Sequence, residues 1–274
     1  MRVLIAITSL PYCDSVLELG VEVAKLTEEI PTLLTVIRRE SQREHVAATV
    51  KEAYGRLRGV APQLRTEVRV GPPAKRVLQE IDFGEYDLVI VTNPECRGIM
   101  ARFVMDATVD RVVRQAPCPV MIAKGRIRPI RHILLCDSGA QSPSLLERFV
   151  SQVRMLVRRD VDVTVLHVMS QMSAGPGVKG TQLRADADEL IREHSPEGEL
   201  LQQDIDILRR IHVDSQPKVR HGLVVQEIVE EANSSDYDLV VIGGGRPVGW
   251  QRVLLDDLGD QIISQVNLPV LVLH

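Results

Sequence analysis

The chain repeats one pattern twice, and this repeat constrains its fold more than any other feature. Residues 68–93, VRVGPPAKRVLQEIDFGEYDLVIVTN, align with residues 219–244, VRHGLVVQEIVEEANSSDYDLVVIGG. Each copy has a strand pattern, a glycine, an amphipathic helix pattern and a second strand whose entry reads acidic-Tyr-Asp-Leu-Val. Two further pairs of segments align in the same order: 115–123 with 265–273, and 2–9 with 132–139. We interpret the chain as a tandem duplication.

Within each half, short apolar runs alternate with helical patterns, which predicts successive βαβ units. In the second half the predicted strands are 132–135, 163–169, 218–221, 239–243 and 270–274, and the predicted helices lie near 145–157, 200–211, 224–232 and 252–265. Almost continuous Val, Ile and Leu in the last two strands indicates a parallel sheet covered on both faces. The predicted fold class is therefore α/β, with two tandem, doubly wound, five-stranded parallel-sheet domains of Rossmann-like type.

The segment KGRIRPIR, residues 124–131, reads as a linker because it holds a proline and four basic residues. It predicts one domain over 1–125 and a second over 130–274. A Gly- and Ser-rich loop is predicted at 170–180.

Composition excludes several classes of function. No run approaches the roughly 18 apolar residues that span a membrane, and the N-terminal MRVLIAITSLPY lacks a signal-peptide pattern, so a cytoplasmic protein with no membrane partner is expected. The net charge is -4, with 19 basic and 16 acidic residues in 1–130 and 14 and 21 in 131–274. Because aromatic residues make up only 3% of the chain, no nucleic-acid partner is expected.

No pattern of catalytic or metal-binding residues stands out. The four cysteines (Cys13, Cys96, Cys118 and Cys136) are scattered and read as thiols packed in the core. No Walker A, G-x-S-x-G or H-E-x-x-H motif occurs. His167 lies in a strand with no assignable nucleophile beside it. We therefore predict no catalytic residue, no metal site and no enzyme activity.

Ligands of open α/β sheets bind outside the carboxyl ends of the strands, where the strand order changes direction. In the second half this rule selects Asp137, Ser138 and Gly139 after the first strand and Val168 near the end of the second. It also selects the loop from Gly243 to Arg246 after the fourth strand.

The chain resembles the universal stress protein family, in a tandem form that covers essentially its whole length. The resemblance rests on Gly71-Pro72-Pro73, on Ala116-Pro117-Cys118-Pro119-Val120, and on Asp137-Ser138-Gly139, which approximates the Val-Asp-Gly-Ser of the family. It implies an adenine nucleotide alpha-hydrolase-like fold, two halves packed about a pseudo-twofold axis, and a homodimer. A light-scattering mass near 30.5 kDa, that of one chain, would count against the homodimer.

The ATP-binding branch of this family carries G-x-x-G, nine residues and G-[S/T] after the fourth strand, because glycines let backbone N–H groups approach phosphates. One alignment of that motif uses Gly249 and Gly259. The alignment we prefer counts back from Pro269 and places the motif at Gly243, Arg246, Asp256 and Asp257. The same count from Pro119 gives Asn93, Cys96, Asp106 and Ala107 in the first half, where Thr8 is taken to replace the strand-one aspartate.

These departures from the family motif predict that the first half binds no nucleotide and that the second half has a degenerate nucleotide site. The resemblance implies that Asp137, Ser138, Gly139, Val168, Gly222, Gly243, Gly244 and Arg246 form the second site. Asp256 and Asp257 would repel a triphosphate by a few kcal/mol each at an effective dielectric near 20. Either Asp137 holds an adenine or ribose edge, or it forms the turn ahead of the next helix. Gly243–Gly245 is either a simple strand exit or a loop that cradles a ligand.

Three hypotheses of function follow from the resemblance. In the first, a stress-response protein binds ATP or AMP weakly in its second half and catalyses nothing. In the second, a nucleotide-independent regulatory or scaffolding module acts through a protein partner. An enzyme of the alpha-hydrolase-like group is the third, and the absence of a catalytic signature argues against it.

Overall fold

A computed structural model describes residues 1–8, 14–44, 46–47, 51, 53, 55, 59, 63–92, 106–138, 142–169, 185–234, 236–244 and 252–274, with the side chains of 252–257 excluded. The chain forms two compact units. Unit 1 comprises 1–129 with 267–272 and 274, and unit 2 comprises 130–266 with 273. The domain bounds 1–125 and 130–274 stay a prediction.

Unit 1 is a parallel sheet with one antiparallel strand. Its strands are β1 (Val3–Ile7), β2 (Thr32–Ile37), β3 (Arg65–Val70), β4 (Leu88–Thr92), β5 (Val120–Ala123) and β10 (Val270–Leu273). The order is β3-β2-β1-β4-β5-β10, and β10 runs antiparallel to β5. Its described helices are α1 (Asp14–Ala24), α2 (Pro73–Gly84) and α3 (Ala107–Gln115). The strands β1, β2, β4 and β5 are buried throughout, as the apolar runs predict.

Unit 2 has the parallel strands β6 (His132–Cys136), β7 (Asp162–Met169), β8 (Asp214–His221) and β9 (Leu239–Gly243), in the order β9-β6-β7-β8. Its helices are α4 (Leu145–Gln152), α5 (Ala187–Arg192), α6 (Pro196–Arg210), α7 (Val224–Ser234) and α8 (Arg252–Gln265). Crossovers between parallel strands are right-handed. The chain moves across the sheet in one direction from β6 to β7 and β8, and in the opposite direction from β8 to β9. The helices α4 and α6 therefore cover one face of the sheet, and α7 covers the other. The predicted α/β fold class is confirmed.

Local chemistry explains where several elements differ from the sequence pattern. A capping box of Ser144 and Glu147 starts α4, which ends at Gln152 rather than 157 and is followed by a 3₁₀ turn at Arg154–Leu156. Ser195 caps α6 five residues before the predicted start, and α5 was not predicted. The polar strand β8 includes Pro217, which the sheet tolerates because β8 is an edge strand.

In each unit, the aspartate of the acidic-Tyr-Asp-Leu-Val motif forms hydrogen bonds that join two strands at their amino ends. Asp87 Oδ2 accepts a hydrogen bond from Arg2 N at 2.7 Å, which ties β4 to β1. In unit 2, Asp238 Oδ2 accepts from the backbone N–H groups of residues 131 and 132 at 3.0 Å each. The tyrosines, Tyr86 and Tyr237, donate to buried glutamates on α2 and α7. The repeated motif is therefore structural, and it lies at the amino ends of the strands.

Gly198 permits the close approach of α5 and α6, and its replacement by alanine is the first testable change. A Cβ at Gly198 would overlap the carbonyl of Leu190, which already accepts from the Ser195 backbone N–H at 3.1 Å. We expect Gly198→Ala to lower the free energy of unfolding by about 2–3 kcal/mol through overpacking.

Gly259 in α8 provides the matched control, because nothing lies within 4 Å of the position of its Cβ. Gly259→Ala should stabilise the protein by up to about 1 kcal/mol. Urea denaturation of both variants measures the difference, and equal effects at the two glycines would contradict the close contact.

Candidate ligand-binding site

The strand order of unit 2 changes direction between β6 and β9. The chain leaves β6 toward β7 and β8 and returns to β9 on the other side, so the switch point of the sheet lies between the carboxyl ends of β6 and β9. Cys136 pairs with Ile242, which brings the following residues, Asp137 and Gly243, to the same edge. The structure thus places two of the predicted site residues at the position where this class of fold binds ligands.

Asp137 is buried at this edge, with 6% of its surface exposed. Its Oδ2 accepts a hydrogen bond from the backbone N–H of Leu145 at 3.0 Å, at the start of α4. Its carbonyl oxygen accepts from His167 Nδ1 at 3.1 Å. The contact with α4 supports the interpretation of Asp137 as the residue that forms the turn, and one carboxylate oxygen already has a partner within the protein. Ser138, the next residue, is exposed.

Arg148 also reaches this edge, although no sequence motif points to it. It lies on α4, is only 8% exposed, and its Nη1 donates to the carbonyl oxygen of Leu273 at 3.3 Å. Its Nη2 lies 3.3 Å from the position that a Cβ would take on Gly243. Burial lowers the pKa of Arg148, and the nearby charge of Asp137 partly offsets this effect. A buried guanidinium therefore lies against Gly243 and within the electrostatic influence of Asp137.

The two glycines after β9 have different roles. Gly243 leaves room for the Arg148 guanidinium, and any side chain there would crowd it. The backbone N–H of Gly244 donates to Leu273 O at 2.6 Å, so that amide is engaged within the protein. Gly139 and Arg246, the remaining residues of the predicted loops, lie outside the described part of the chain.

Val168 and Gly222 lie at the ends of β7 and β8. Val168 is partly buried and pairs with Arg220, and the Gly222 N–H donates to Met169 O at 3.2 Å. The Glu227 carboxylate occupies the space where a side chain on Gly222 would lie. Glu227 is held there by an ion pair of 2.7 Å with Arg220, so Gly222 borders a charged pair.

The preferred motif alignment also places Asp256 and Asp257 at the hydroxyl-bearing end of the family motif. Both residues lie inside α8, which begins at Arg252, rather than at its first residues. Only the backbone N–H groups in the first turn of a helix lack a partner within the helix. Positions 256 and 257 come after that turn, so their N–H groups are not available to a ligand. In unit 1 the corresponding Asp106 is the N-cap of α3 and accepts from Thr108 N at 2.7 Å. Asn93, Cys96 and Gly249 lie outside the described residues.

Unit 1 has apolar and hydroxyl groups at the same edge. β1 pairs with β4 in the register in which β6 pairs with β9, and this places Ile7, not Thr8, at the position of Asp137. The assignment of Thr8 to the position of the aspartate was therefore wrong by one residue, and the alignment of residues 2–9 with 132–139 already pairs Ile7 with Asp137. Thr92, and not Asn93 as the count from Pro119 predicts, occupies the position of Gly243, and its buried hydroxyl has no hydrogen-bond partner among the described residues. Unit 1 therefore lacks both the carboxylate and the glycine.

Asp204 on α6 is a second buried charge that the sequence analysis missed. It is 1% exposed, and its Oδ2 has no hydrogen-bond partner within the described ranges. Burial, followed by the charges of Asp137 and Glu147, raises the pKa of Asp204 to about 7.

The cysteines that the structure describes are free thiols. Burial raises the pKa of Cys118 to about 12 and raises that of Cys136 as well, where the charges of Glu231 and Asp137 add to the effect. Both are therefore protonated thiols rather than nucleophilic thiolates at neutral pH. Cys13 and Cys96 lie outside the described residues.

The described residues contain no cluster of three or more His, Cys, Asp or Glu side chains suited to a metal ion. The same part of the chain holds no helix long and apolar enough to cross a membrane.

The fold defines a duplicated α/β protein of the Rossmann-like class, with its unit 2 switch point between the carboxyl ends of β6 and β9. The model of the Universal stress protein family matches the chain twice, over residues 1–124 and 129–274. The chain therefore belongs to the universal stress protein family, as its motifs predict. No curated protein sequence matches it.

Solved structures share this fold along nearly the whole chain. A putative universal stress protein from Pseudomonas aeruginosa UCBPP-PA14 is 15% identical with a TM-score of 0.71, covering 99% of this chain and 92% of that one. A universal stress protein from Archaeoglobus fulgidus DSM 4304 is 13% identical with a TM-score of 0.68, covering 99% and 95%. The cytoplasmic domain of a prokaryotic cation chloride cotransporter is 10% identical with a TM-score of 0.50, covering 99% and 94%. These likenesses establish the fold alone.

Proposed function

We propose that this universal stress protein is a cytoplasmic, non-enzymatic stress-response module that binds one adenine nucleotide weakly, in unit 2. The observation that carries the proposal is the difference between the two switch points. Unit 2 has Asp137, Gly243 and the buried cation Arg148 at its strand ends, whereas unit 1 has Ile7 and Thr92 at the positions of the first two. Polar groups that converge at a switch point are typical of ligand sites in this class of fold.

The same contacts explain why binding would be weak. The Gly244 N–H and one carboxylate oxygen of Asp137 are already hydrogen-bonded within the protein. Asp256 and Asp257 stand where the ATP-binding branch has its Gly-[S/T], and they lie inside α8. A nucleotide would have to compete with these internal bonds, so we expect a dissociation constant near the millimolar range, or about -4 kcal/mol.

Calorimetry of the full chain with AMP, ADP and ATP tests this proposal. We expect one equivalent bound per chain, and we expect Asp137→Asn to weaken binding about fivefold or more because it removes the carboxylate that would accept from the adenine or ribose edge. The absence of heat with all three nucleotides at millimolar concentration, or two equivalents per chain, would contradict the proposal.

Asp238→Asn is the matched control. Asp238 is also 6% exposed and also accepts backbone N–H groups at 3.0 Å, but at the opposite end of the sheet. This variant should lose stability and keep the nucleotide affinity of the unchanged protein, which separates binding from a general effect on folding.

A nucleotide-independent regulatory or scaffolding role through a protein partner is the second candidate. It is favoured by the internal hydrogen bonds of Gly244 and Asp137, which hold the strand ends together without a ligand. Absence of nucleotide heat, combined with a stable partner recovered from stressed cells and identified by mass spectrometry, would support it. The homodimer stays a prediction.

A further inference from the structure

Arg148 is a buried cation with far fewer partners than its donors require. A guanidinium carries five N–H donors. Nη1 makes one hydrogen bond of 3.3 Å to Leu273 O, and the buried Nε makes none with the residues that the structure describes. Buried polar groups in folded proteins are almost always paired, and a buried charge with few partners is costly. The unused donors indicate that Arg148 is arranged to meet a group of opposite charge.

The surroundings of Arg148 keep it at the ligand edge. It is 8% exposed, and Gly243 leaves it room to lie against the end of β9. The negative charge that acts on Arg148 is that of Asp137, whose Oδ2 accepts from the Leu145 N–H. Arg148 therefore lies at the switch point, beside the residues that would contact a nucleotide, and not on the outer face of α4.

The charges nearby limit what this cation can hold. The charge of Asp137 acts on Arg148, and the charges of Asp137 and Glu147 both act on the buried Asp204. A triphosphate would bring several negative charges to an edge that has one described buried cation and several carboxyl groups. A single phosphate group would match one guanidinium, which binds phosphate oxygens through paired N–H donors.

From this geometry we infer that Arg148 is the phosphate-binding group of the unit 2 site and that it selects a nucleoside monophosphate over a triphosphate. This inference rests on the proposed nucleotide binding. It assigns a specific function to a residue on α4, outside the strand-end loops that the sequence analysis selected.

Titration of the full chain with adenosine, AMP and ATP tests the inference, with Arg148→Met as the variant. The unchanged protein should bind AMP about 10- to 100-fold more tightly than adenosine and more tightly than ATP. In Arg148→Met, AMP should bind only as well as adenosine, while the affinity for adenosine stays the same. A role in folding alone would not remove the preference for AMP and leave adenosine unaffected.

Two further variants keep the test interpretable. Arg209→Met removes an exposed arginine on α6 and should leave all affinities unchanged, which controls for net charge. Arg148→Lys retains the charge without the planar fork and should give an intermediate preference for AMP, which serves if the methionine variant does not fold.

Each outcome decides between the two proposals. Equal binding of AMP and adenosine by the unchanged protein, an ATP affinity equal to or above that of AMP, or a preference for AMP that survives in Arg148→Met, would overturn the assignment to Arg148 while nucleotide binding stands. If neither adenosine nor AMP binds, the proposed function fails, and inorganic phosphate becomes the probe. Phosphate binding that disappears in Arg148→Met would then retain Arg148 as an anion site, and no phosphate binding would overturn it.

Discussion

Replacing Asp204 with asparagine is expected to raise the free energy of unfolding by about 2–4 kcal/mol near pH 7.5. Asp204 is 1% exposed, and its buried Oδ2 has no partner among the described residues. Its pKa rises from 3.8 to about 7 on folding, which corresponds to at most about 4 kcal/mol of stability lost when the carboxyl ionises. The asparagine removes that charge and keeps the shape of the side chain.

The direction of the stability change follows from the pH at which Asp204 ionises in the folded and unfolded states. Because the folded state raises the pKa of Asp204, the folded protein binds the proton more tightly than the unfolded chain between about pH 4 and 7. Stability from this group is fully present below about pH 4 and falls as the pH rises to about 7. The advantage of Asp204→Asn should therefore be small near pH 4.5 and largest above pH 7.

Urea denaturation at about pH 4.5, 6 and 7.5 measures this trend. Asp206→Asn is the control, since Asp206 lies on the same helix, is more exposed and already pairs with Arg209 at 2.9 Å. It should change stability by less than about 0.5 kcal/mol at each pH. Parallel curves for Asp204→Asn and the unchanged protein would show that Asp204 does not ionise in the folded state as expected.

The repeated strands and the position of the switch point could be predicted from the sequence. Apolar runs such as Val3–Ile7 and Leu239–Gly243 are diagnostic because a parallel strand is buried on both faces. The glycine at 243 also marked a strand end correctly. What it accommodates could not be predicted, because the guanidinium that fills this space comes from position 148, far away along the chain.

The buried charges were not predictable for a physical reason. Arg148 and Asp204 occur in helical patterns with other charged residues, where solvent exposure is the usual outcome. Only the way each helix packs on the sheet decides which charge faces inward. For the strands the sequence was more informative, since the alignment of residues 2–9 with 132–139 pairs Ile7 with Asp137, as the strand registers do.

Each unit has a buried glutamate that bonds to the tyrosine of the repeated motif, Glu231 in unit 2 and Glu80 in unit 1. The loss of stability on removing each glutamate can therefore be compared within one protein. Glu231 is 1% exposed and accepts hydrogen bonds from Lys218 at 2.7 Å, Tyr237 at 2.8 Å and Arg220 at 2.9 Å. Glu80 is 8% exposed and accepts from Arg69 at 3.1 Å and Tyr86 at 3.2 Å. The buried glutamate is thus held by more residues, and at shorter distances, in unit 2 than in unit 1.

We expect Glu231→Ala to lower the free energy of unfolding by about 3–4 kcal/mol, and Glu80→Ala by about 1–2 kcal/mol. Removing Glu231 leaves the buried hydroxyl of Tyr237 and two cations without their shared acceptor. The expected loss of unfolding free energy is below the upper end of the range for broken buried ion pairs. The reason is that 44% of the Lys218 side chain and 26% of the Arg220 side chain are exposed to water.

The pH dependence separates this charge network from a simple loss of packing. Burial alone would raise the pKa of Glu231, but the hydrogen bonds from Lys218, Tyr237 and Arg220 outweigh it and lower the pKa. A carboxyl with a lowered pKa contributes stability above its unfolded value and loses it as the pH falls through the folded pKa. Urea denaturation should therefore show the cost of Glu231→Ala shrinking below about pH 4, whereas a cost independent of pH, or equal to that of Glu80→Ala, would assign the loss to packing.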